Sequence, residues 1–355
     1  MSVIITGTGS YIPRTVTTND QFNDHDFFNE DGTPLPDENS VIIRKFKAIT
    51  GIAERRYLKP KKVTSDIAAF AAEKAIIDAG IDPETLDYII VAHNYGDVKH
   101  NSSQSDTVPS LASRVKHLLK IKNPKCVAYD ILFGCPGWVE GVIQSYAFSK
   151  AGMAKRCLVI GAESLSRVVD QHDRDSMIYS DGAGAVVLQS DTEAKPGQGI
   201  LNHLSATFAY DEAHFIYFGE SYKKEDSSAR KYIKMYGRKI YEFAISNVPA
   251  AMKECLDNAN IPIEALKKVF IHQANEKMDE AIIQRFYKLY GLQAPKGVMP
   301  MTINTLGNSS VATVPTLFDL VARGEFEGQE VNPGDVVMFA SVGAGMNINA
   351  VIYRV

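Results

Sequence analysis

Cysteine, tryptophan and long apolar runs are all scarce in this chain of 355 residues, and each scarcity removes a class of protein. The four cysteines, Cys126, Cys135, Cys157 and Cys255, show no CxxC spacing and no close pairing with histidine, so they build neither a secreted disulfide scaffold nor a structural zinc site. They suit a reducing compartment, and a cytoplasmic protein is the expectation. Nowhere do about 18 apolar residues follow one another, and the start, Met1-Ser-Val-Ile-Ile-Thr-Gly, has no basic stretch before its apolar run. Neither a membrane span nor a secretory leader is expected. Basic residues do not exceed acidic ones: 38 against 42 give a net charge of −4, which supplies no general positive field for nucleic acid or an anionic membrane. Glycine (25) and proline (15) stand at ordinary globular levels, which excludes collagen-like and disordered chains.

What is present is a folded chain, 45% hydrophobic and 23% charged, long enough for two domains or two fused halves. Self-similarity favours the halves. Ala79 to Val91 lies over Ala259 to Ile271 with Ala, Ile, Glu and Leu coinciding, and Gly182 to Leu188 echoes Gly343 to Asn349 in the same order. The halves are read as residues 1–196 and 197–355. Apolar periodicity predicts helices over Thr64–Ala79, Ser110–Lys120, Pro136–Ala151, Lys231–Asn258, Glu276–Tyr290 and Val311–Arg323. It predicts strands at Val3–Ile5, Tyr88–Ala92, Cys126–Ile131, Arg156–Ile160, Gly184–Leu188, Val269–His272 and Val336–Phe339. Alternating strand and helix imply an α/β fold with mostly parallel sheet. Asn23–Asn39 and Ala209–Ser228 read as irregular insertions, where binding function often sits.

Three segments can carry chemistry. Cys135 follows a strand and precedes Pro136, which opens a helix at its preferred first position, so the thiol faces free N–H groups that favour a thiolate. His272 closes a buried strand in His-Gln-Ala-Asn, where a base or donor can project from a rigid element, or a structural histidine can sit satisfied. Asn308, in Gly-Asn-Ser-Ser before a helix, serves equally as a cap or as a donor. Gly7-x-Gly9 follows a strand, yet Tyr11 and Ile12 stand where a dinucleotide fingerprint needs its third glycine.

Taken together, Cys135, His272 in His-Gln-Ala-Asn, Asn308 in Gly-Asn-Ser-Ser, the Asp181-Gly-Ala-Gly-Ala turn and the closing Gly343-Ala-Gly resemble the β-ketoacyl-acyl-carrier-protein synthase III family of the thiolase superfamily. Gly7-Thr-Gly-Ser-Tyr-Ile-Pro and Thr50-Gly-Ile-Ala-Glu-Arg-Arg match it as well, so the resemblance spans nearly the whole chain. It implies a duplicated, five-layered αβαβα fold, a homodimer, and no metal or redox cofactor. It further implies that Cys135 takes an acyl group from a thioester, that His272 and Asn308 hold the oxygen charged during decarboxylation of a malonyl thioester, and that the N–H groups of Cys135 and Ala344 hold the other oxyanion.

The carrier is less clear from the resemblance. A tryptophan that commonly stacks on the adenine of coenzyme A falls at Lys45, whereas Arg174 keeps the other half of that clamp. Val108 would deepen the acyl pocket, and Phe133 and Trp138 would narrow it around Cys135. Lys277 and Arg285, two helical turns apart, form a basic face for acyl carrier protein that Arg238 and Lys239 extend, against Glu242. Initiation of fatty acid synthesis is the role implied. The alternatives are a specialised ketosynthase joining two acyl units, as in alkylresorcinol-type lipids, a thiol hydrolase, and a non-catalytic acyl-binding subunit, which would lack the Cys135 nucleophile.

Overall fold

Apolar runs such as Ile89-Ile-Val-Ala92 have no polar face, the pattern of a strand covered on both sides. In the computed structural model, which describes residues 2–102, 104–193, 197–225 and 229–355, such runs form the interiors of two stacked sheets. The first has five strands: β1 (Ser2–Tyr11), β2 (Tyr88–Ala92), β3 (Val127–Ile131), β4 (Arg156–Ser164) and β5 (Asp181–Asp191), in the order β1-β5-β4-β2-β3. The second has four: β6 (Gly199–Thr207), β7 (Leu266–Ile271), β8 (Val336–Gly343) and β9 (Asn347–Arg354), in the order β6-β9-β8-β7.

Eight helices are described: α1 (Asn39–Thr50), α2 (Thr64–Ala79), α3 (Leu111–Leu118), α4 (Gly137–Lys150), α5 (Gly237–Asn258), α6 (Glu276–Lys288), α7 (Ile303–Leu306) and α8 (Thr313–Ala322). Helices α4 and α8 lie between the sheets. Trp138 and Val142 of α4 and Leu317 and Phe318 of α8 share one core with Val159 and Val186 of the first sheet and Phe270 and Phe339 of the second. Ala68, Ala72 and Val115 of α2 and α3 cover the outer face of the first sheet, and Met252, Ile282 and Phe286 of α5 and α6 that of the second. The order helix, sheet, helix, sheet, helix is the five-layered thiolase-like architecture.

The expected helices other than α5 are found within two residues of their expected ends, the usual uncertainty of helix termini, whereas five of the seven expected strands run three or more residues past an expected end. Four readings need correction. The sheets are mixed: β4/β2, β2/β3 and β7/β8 are parallel, whereas β1/β5, β4/β5, β6/β9 and β8/β9 are antiparallel. Parallel pairing requires a crossover of about a dozen residues, and only Ala344–Met346 separate β8 from β9. Helix α5 starts at Gly237, not Lys231, because Tyr232–Met235 is a strand paired with Ile216–Gly219. That hairpin also gives Ala209–Ser228 regular structure, although residues 226–228 of that insertion lie outside the described ones. Pro136 caps α4 and does not occupy its first turn.

The first internal echo has one conformation in both copies. Helix, 3-10 turn (Pro83–Thr85 and Ile263–Ala265) and strand follow in the same order. The second echo does not, since Gly182–Leu188 lies within β5 while Gly343–Asn349 turns the corner from β8 into β9. The expected boundary at 196/197 touches Pro196, outside the described residues; the first sheet ends at Asp191 and the second begins at Gly199.

The two-stranded hairpin is tied to the segment after β4 by a buried cation. Lys234 Nζ donates to Asp170 Oδ2 at 2.6 Å and Asp173 Oδ2 at 3.1 Å, and lies 3.3 Å from the Tyr222 ring centroid. Lys234→Met would strand both carboxylates in the interior, at a cost of about 3–5 kcal/mol. Chemical denaturation at pH 7 should show that loss, with partial recovery when Asp170→Asn and Asp173→Asn are added; an unchanged midpoint in Lys234→Met contradicts it.

Candidate active site

Where β3 runs into α4, the chain turns at Gly134, whose φ of +66° suits glycine. A Cβ on Gly134 would stand 2.7 Å from the Ala344 nitrogen, and one on Gly343 would stand 2.5 Å from the Cys135 nitrogen. Both glycines therefore let the corner between β8 and β9 rest on the Cys135 backbone. Cys135 and Ala344 are thereby brought side by side, and Asn347 Nδ2 fixes the corner by donating to the Ala344 carbonyl at 2.9 Å.

The Cys135 thiol differs from expectation. Burial pushes it up to about 11, and the Ser310 hydroxyl, which donates to Sγ at 3.2 Å, opposes that shift. The helix start contributes less than its position suggests, because the Gly137 N–H is already bonded to the Gly134 carbonyl at 3.0 Å. In the resting site desolvation outweighs the hydrogen bond from Ser310.

His272 follows β7, and its backbone N–H is held by the Ala340 carbonyl at 2.9 Å. The ring is enclosed, Nδ1 has no hydrogen-bond partner, and burial lowers its pKa to about 4, with the Ser310 backbone pulling the other way. At neutral pH the ring is an uncharged imidazole. Asn308 follows Gly307, which has φ +62° and leaves no room for a Cβ beside Arg55. Arg55, of the Thr50-Gly-Ile-Ala-Glu-Arg-Arg segment, is buried and donates to the Met177 carbonyl, so that residue supports the turn. Asn308 Oδ1 accepts the Ser310 N–H at 2.7 Å, which leaves the Asn308 amide nitrogen as the donor offered to the cleft that Asn308 lines. Ser310 itself has φ +52°. It meets two of the three residues directly, the Cys135 sulfur by its hydroxyl and Asn308 by its N–H.

A cleft of about 610 Å³ runs inward to Asn308 from a rim that includes Phe28, Lys45, Arg174 and Arg238. Segment 23–39 supplies Phe28, Leu35, Pro36 and Asp37 to its wall. Lys45 pairs with Asp37 at 2.6 Å, and Arg174 is largely exposed. Lys277 and Arg285 are exposed on α6, Arg238 is paired with Glu242 at 2.8 Å, and Lys239 lies 5.0 Å from the Tyr236 ring centroid. Phe133 lies on the Cys135 turn, half-buried.

Two expected pocket residues are elsewhere. Trp138 is fully buried and packs edge-on against Phe339 at 5.5 Å, because the first turn of α4 faces the layer between the sheets. Val108 is 85% exposed and does not line the cleft. Tyr95 and Tyr179 occupy the sulfur's surroundings instead; burial raises both phenols, and Cys135 adds to the effect. Asn94 and Glu163 also escaped the sequence reading. An acidic residue closing the apolar strand Cys157-Leu-Val-Ile-Gly-Ala-Glu163 was the available signal. Among the described residues no group of three His, Cys, Asp or Glu side chains is placed to hold a metal ion.

The profile of the family described as 3-oxoacyl-[acyl-carrier-protein (ACP)] synthase III matches residues 129–207, and that of its C-terminal region matches residues 256–355. Beta-ketoacyl-[acyl-carrier-protein] synthase III of Erythrobacter litoralis is 32% identical over 99% of this chain and 98% of its own length. The enzyme of that name from Aquifex aeolicus is 32% identical with full coverage of both chains, and the crystal structure from strain VF5 superposes with a TM-score of 0.79, covering 99% of this chain and 100% of that one. Xanthomonas campestris OleA, 18% identical with a TM-score of 0.78 over 99% of this chain and 96% of that one, shares the fold.

The buried imidazole makes an acid-range prediction. The ordinary histidine value is 6.5 and the folded value about 4, so unfolded chains take up a proton that the native site refuses. Native stability from this group is complete above about 6.5 and is lost as pH falls toward 4, by about 3 kcal/mol. His272→Ala should show a correspondingly smaller drop in unfolding free energy between pH 7 and pH 4.5. An identical drop in both proteins contradicts it.

Proposed function

The chain belongs to the 3-oxoacyl-[acyl-carrier-protein] synthase III family, and from that membership we propose that it joins a Cys135-bound acyl group to a malonyl thioester with loss of carbon dioxide. The observation that carries the reading is Ser310, which donates its hydroxyl to Cys135 and its N–H to Asn308 from a single strained residue.

The Cys135 sulfur attacks the carbonyl of a primer thioester. A bond from sulfur to acyl carbon forms, the bond to the carrier sulfur breaks, and the carrier thiol leaves with the cysteine proton. The backbone N–H groups of Cys135 and Ala344 receive the oxygen that becomes charged. A malonyl thioester then enters along the cleft. Neutral His272 and the Asn308 amide donate to its thioester oxygen, the carboxylate departs as carbon dioxide, and the resulting enolate carbon attacks the acyl-enzyme carbonyl. The carbon–carbon bond replaces the carbon–sulfur bond, giving a 3-oxoacyl thioester and freeing the Cys135 sulfur. A neutral histidine suits this task because it donates a hydrogen bond without adding a charge to the site. Initiation of fatty acid synthesis is the pathway role proposed.

A second reading, joining two acyl units, draws support from the wide cleft with apolar walls from Phe28, Leu35, Ile42, Phe46 and Ile49. We assign residues 1–196 and 197–355 to two duplicated halves, one supplying the nucleophile and the other His272 and Asn308. We further propose a homodimer. Strand β3 is a free sheet edge, and Val127 on it, Leu132 beyond it and the nearly bare Val108 present apolar surface that a second copy would cover. Four free cysteines suit a cytoplasmic enzyme, and among the described residues no helix is long and apolar enough to cross a membrane.

Cys135→Ala should abolish acyl transfer, while Cys126→Ala, Cys157→Ala and Cys255→Ala retain it. His272→Ala and Asn308→Ala should each slow malonyl decarboxylation by about 10²–10³ and leave Cys135 acylation measurable. Labelled malonyl thioester and mass spectrometry of the Cys135 adduct read the two half-reactions. Free acid released without carbon dioxide or ketone would mark a thiol hydrolase, and label on another cysteine would reject the assignment.

The rim lacks an aromatic face at position 45, and Lys277 and Arg285 present positive charge on α6. Primers on acyl carrier protein should therefore exceed the same acyl group on coenzyme A in kcat/KM. The advantage should shrink with salt and in the Lys277→Glu, Arg285→Glu double variant. A coenzyme A primer that matches the carrier protein at low salt overturns this.

A further inference from the structure

The hydrogen bonds that end on the Cys135 sulfur begin at a carboxyl group the condensation scheme leaves unused. Glu163 closes β4 and is 1% exposed. Its Oε1 accepts the backbone N–H of Asn94 and, at 2.7 Å, the Asn94 side-chain Nδ2. That nitrogen carries two hydrogens, and it also donates to Ser310 Oγ at 3.1 Å. A hydroxyl that accepts from Asn94 keeps its own hydrogen for the Cys135 sulfur, 3.2 Å away. Asn94 thus donates in both directions, back to the Glu163 oxygen and on to Ser310, and Ser310 donates to the sulfur.

Asn94 could face Glu163 with either end of its amide. The acceptor at position 163 selects the nitrogen. Without that acceptor the amide is free to turn, and Asn94 Oδ1 would then draw the Ser310 hydrogen away from the sulfur. We propose that Glu163 is a positioning residue for Cys135, holding Asn94 so that Ser310 donates to the sulfur and stabilises the thiolate during acylation. The proposal rests on the reading of Cys135 as the nucleophile.

The charge of Glu163 works against its hydrogen bonds. Burial pushes the carboxyl up to about 7, against His93 and the two Asn94 donors, and the ionised form raises the Cys135 thiol in turn. The titratable groups that face Glu163 are His93 just after β2, Tyr95, Asp181 at the start of β5 and Cys135 itself. The useful part of Glu163 is therefore its accepting oxygen, and glutamine, which keeps the oxygen and drops the charge, should serve at least as well.

Two measurements on the full-length enzyme test this: the pH midpoint of Cys135 alkylation by iodoacetamide, read by mass spectrometry, and the single-turnover rate of Cys135 acylation. Ser310→Ala, Asn94→Ala and Glu163→Leu should each raise the midpoint by about one pH unit and slow acylation about tenfold, the loss of one hydrogen bond to the sulfur. Glu163→Gln should acylate as fast as the unaltered enzyme or faster. Glu163→Leu combined with Ser310→Ala should be no worse than Ser310→Ala alone, because both act on one chain. Malonyl decarboxylation, which does not use the sulfur, should stay within about twofold in Asn94→Ala and Glu163→Leu. Glutamine as damaging as leucine, additive losses in the double variant, or an unmoved alkylation midpoint would each overturn the proposal. Asn94→Ala decides the matter if Glu163→Leu does not fold. An unaltered enzyme that forms no acyl adduct at Cys135 refutes the condensing reading, while the alkylation series still tests the chain.

Discussion

Everything at the site depends on how closely two backbones approach. A Cβ on Gly161 would stand 2.3 Å from the Val311 carbonyl oxygen, so the turn leading into α8 can lie on β4 only because residue 161 has no side chain. That contact brings Ser310 within reach of Cys135 and sets Asn308 beneath the Ile178 carbonyl, which accepts its N–H at 3.0 Å. Gly134 and Gly343 make the matching approach on the other side of the sulfur. The reacting groups come from four separated stretches of chain, and none of them could be placed by its own loop. The interior between the sheets, with Phe270, Phe318 and Phe339 interlocked at 5.0–5.7 Å, provides the rigid support.

Much of this was legible in the sequence where a local pattern suffices. Helix α2 has its expected bounds because alanine-rich periodicity and Gly80 specify both its face and its end. Cys135, His272 and Asn308 stood out in the sequence because each lies at an element boundary next to a glycine, a proline or a polar run. What local pattern cannot supply is pairing. Strand direction in β5, β6 and β9 depends on which neighbour each strand meets, and Tyr232–Met235 takes a strand over a helix because Ile216–Gly219 lies beside it. Trp138 illustrates the same limit: closeness to Cys135 in sequence suggested a wall of the site, and its position in α4 faces it to Phe339.

The thiol is the clearest case of competing effects. Position at a helix start argued for a lowered pKa, and the enclosed sulfur has a raised one. Burial that excludes water from a decarboxylating site also penalises the charge that starts the reaction. The network around Ser310 is where the protein offsets that penalty without exposing the site.

The cleft rim is built differently from its floor. Segment 23–39 is irregular, and its tertiary hold includes the Phe28 N–H on the His172 carbonyl at 2.9 Å and the cation bridge of Lys45 to Asp37. Insertions or replacements at its exposed positions, away from the buried Phe27, would leave the two sheets and the turn at Ser310 undisturbed. The enzyme is in that sense modular: selection can rewrite which carrier is admitted while the bond-making centre is inherited intact, so a lineage could change its substrate range by drift in one collar of loop.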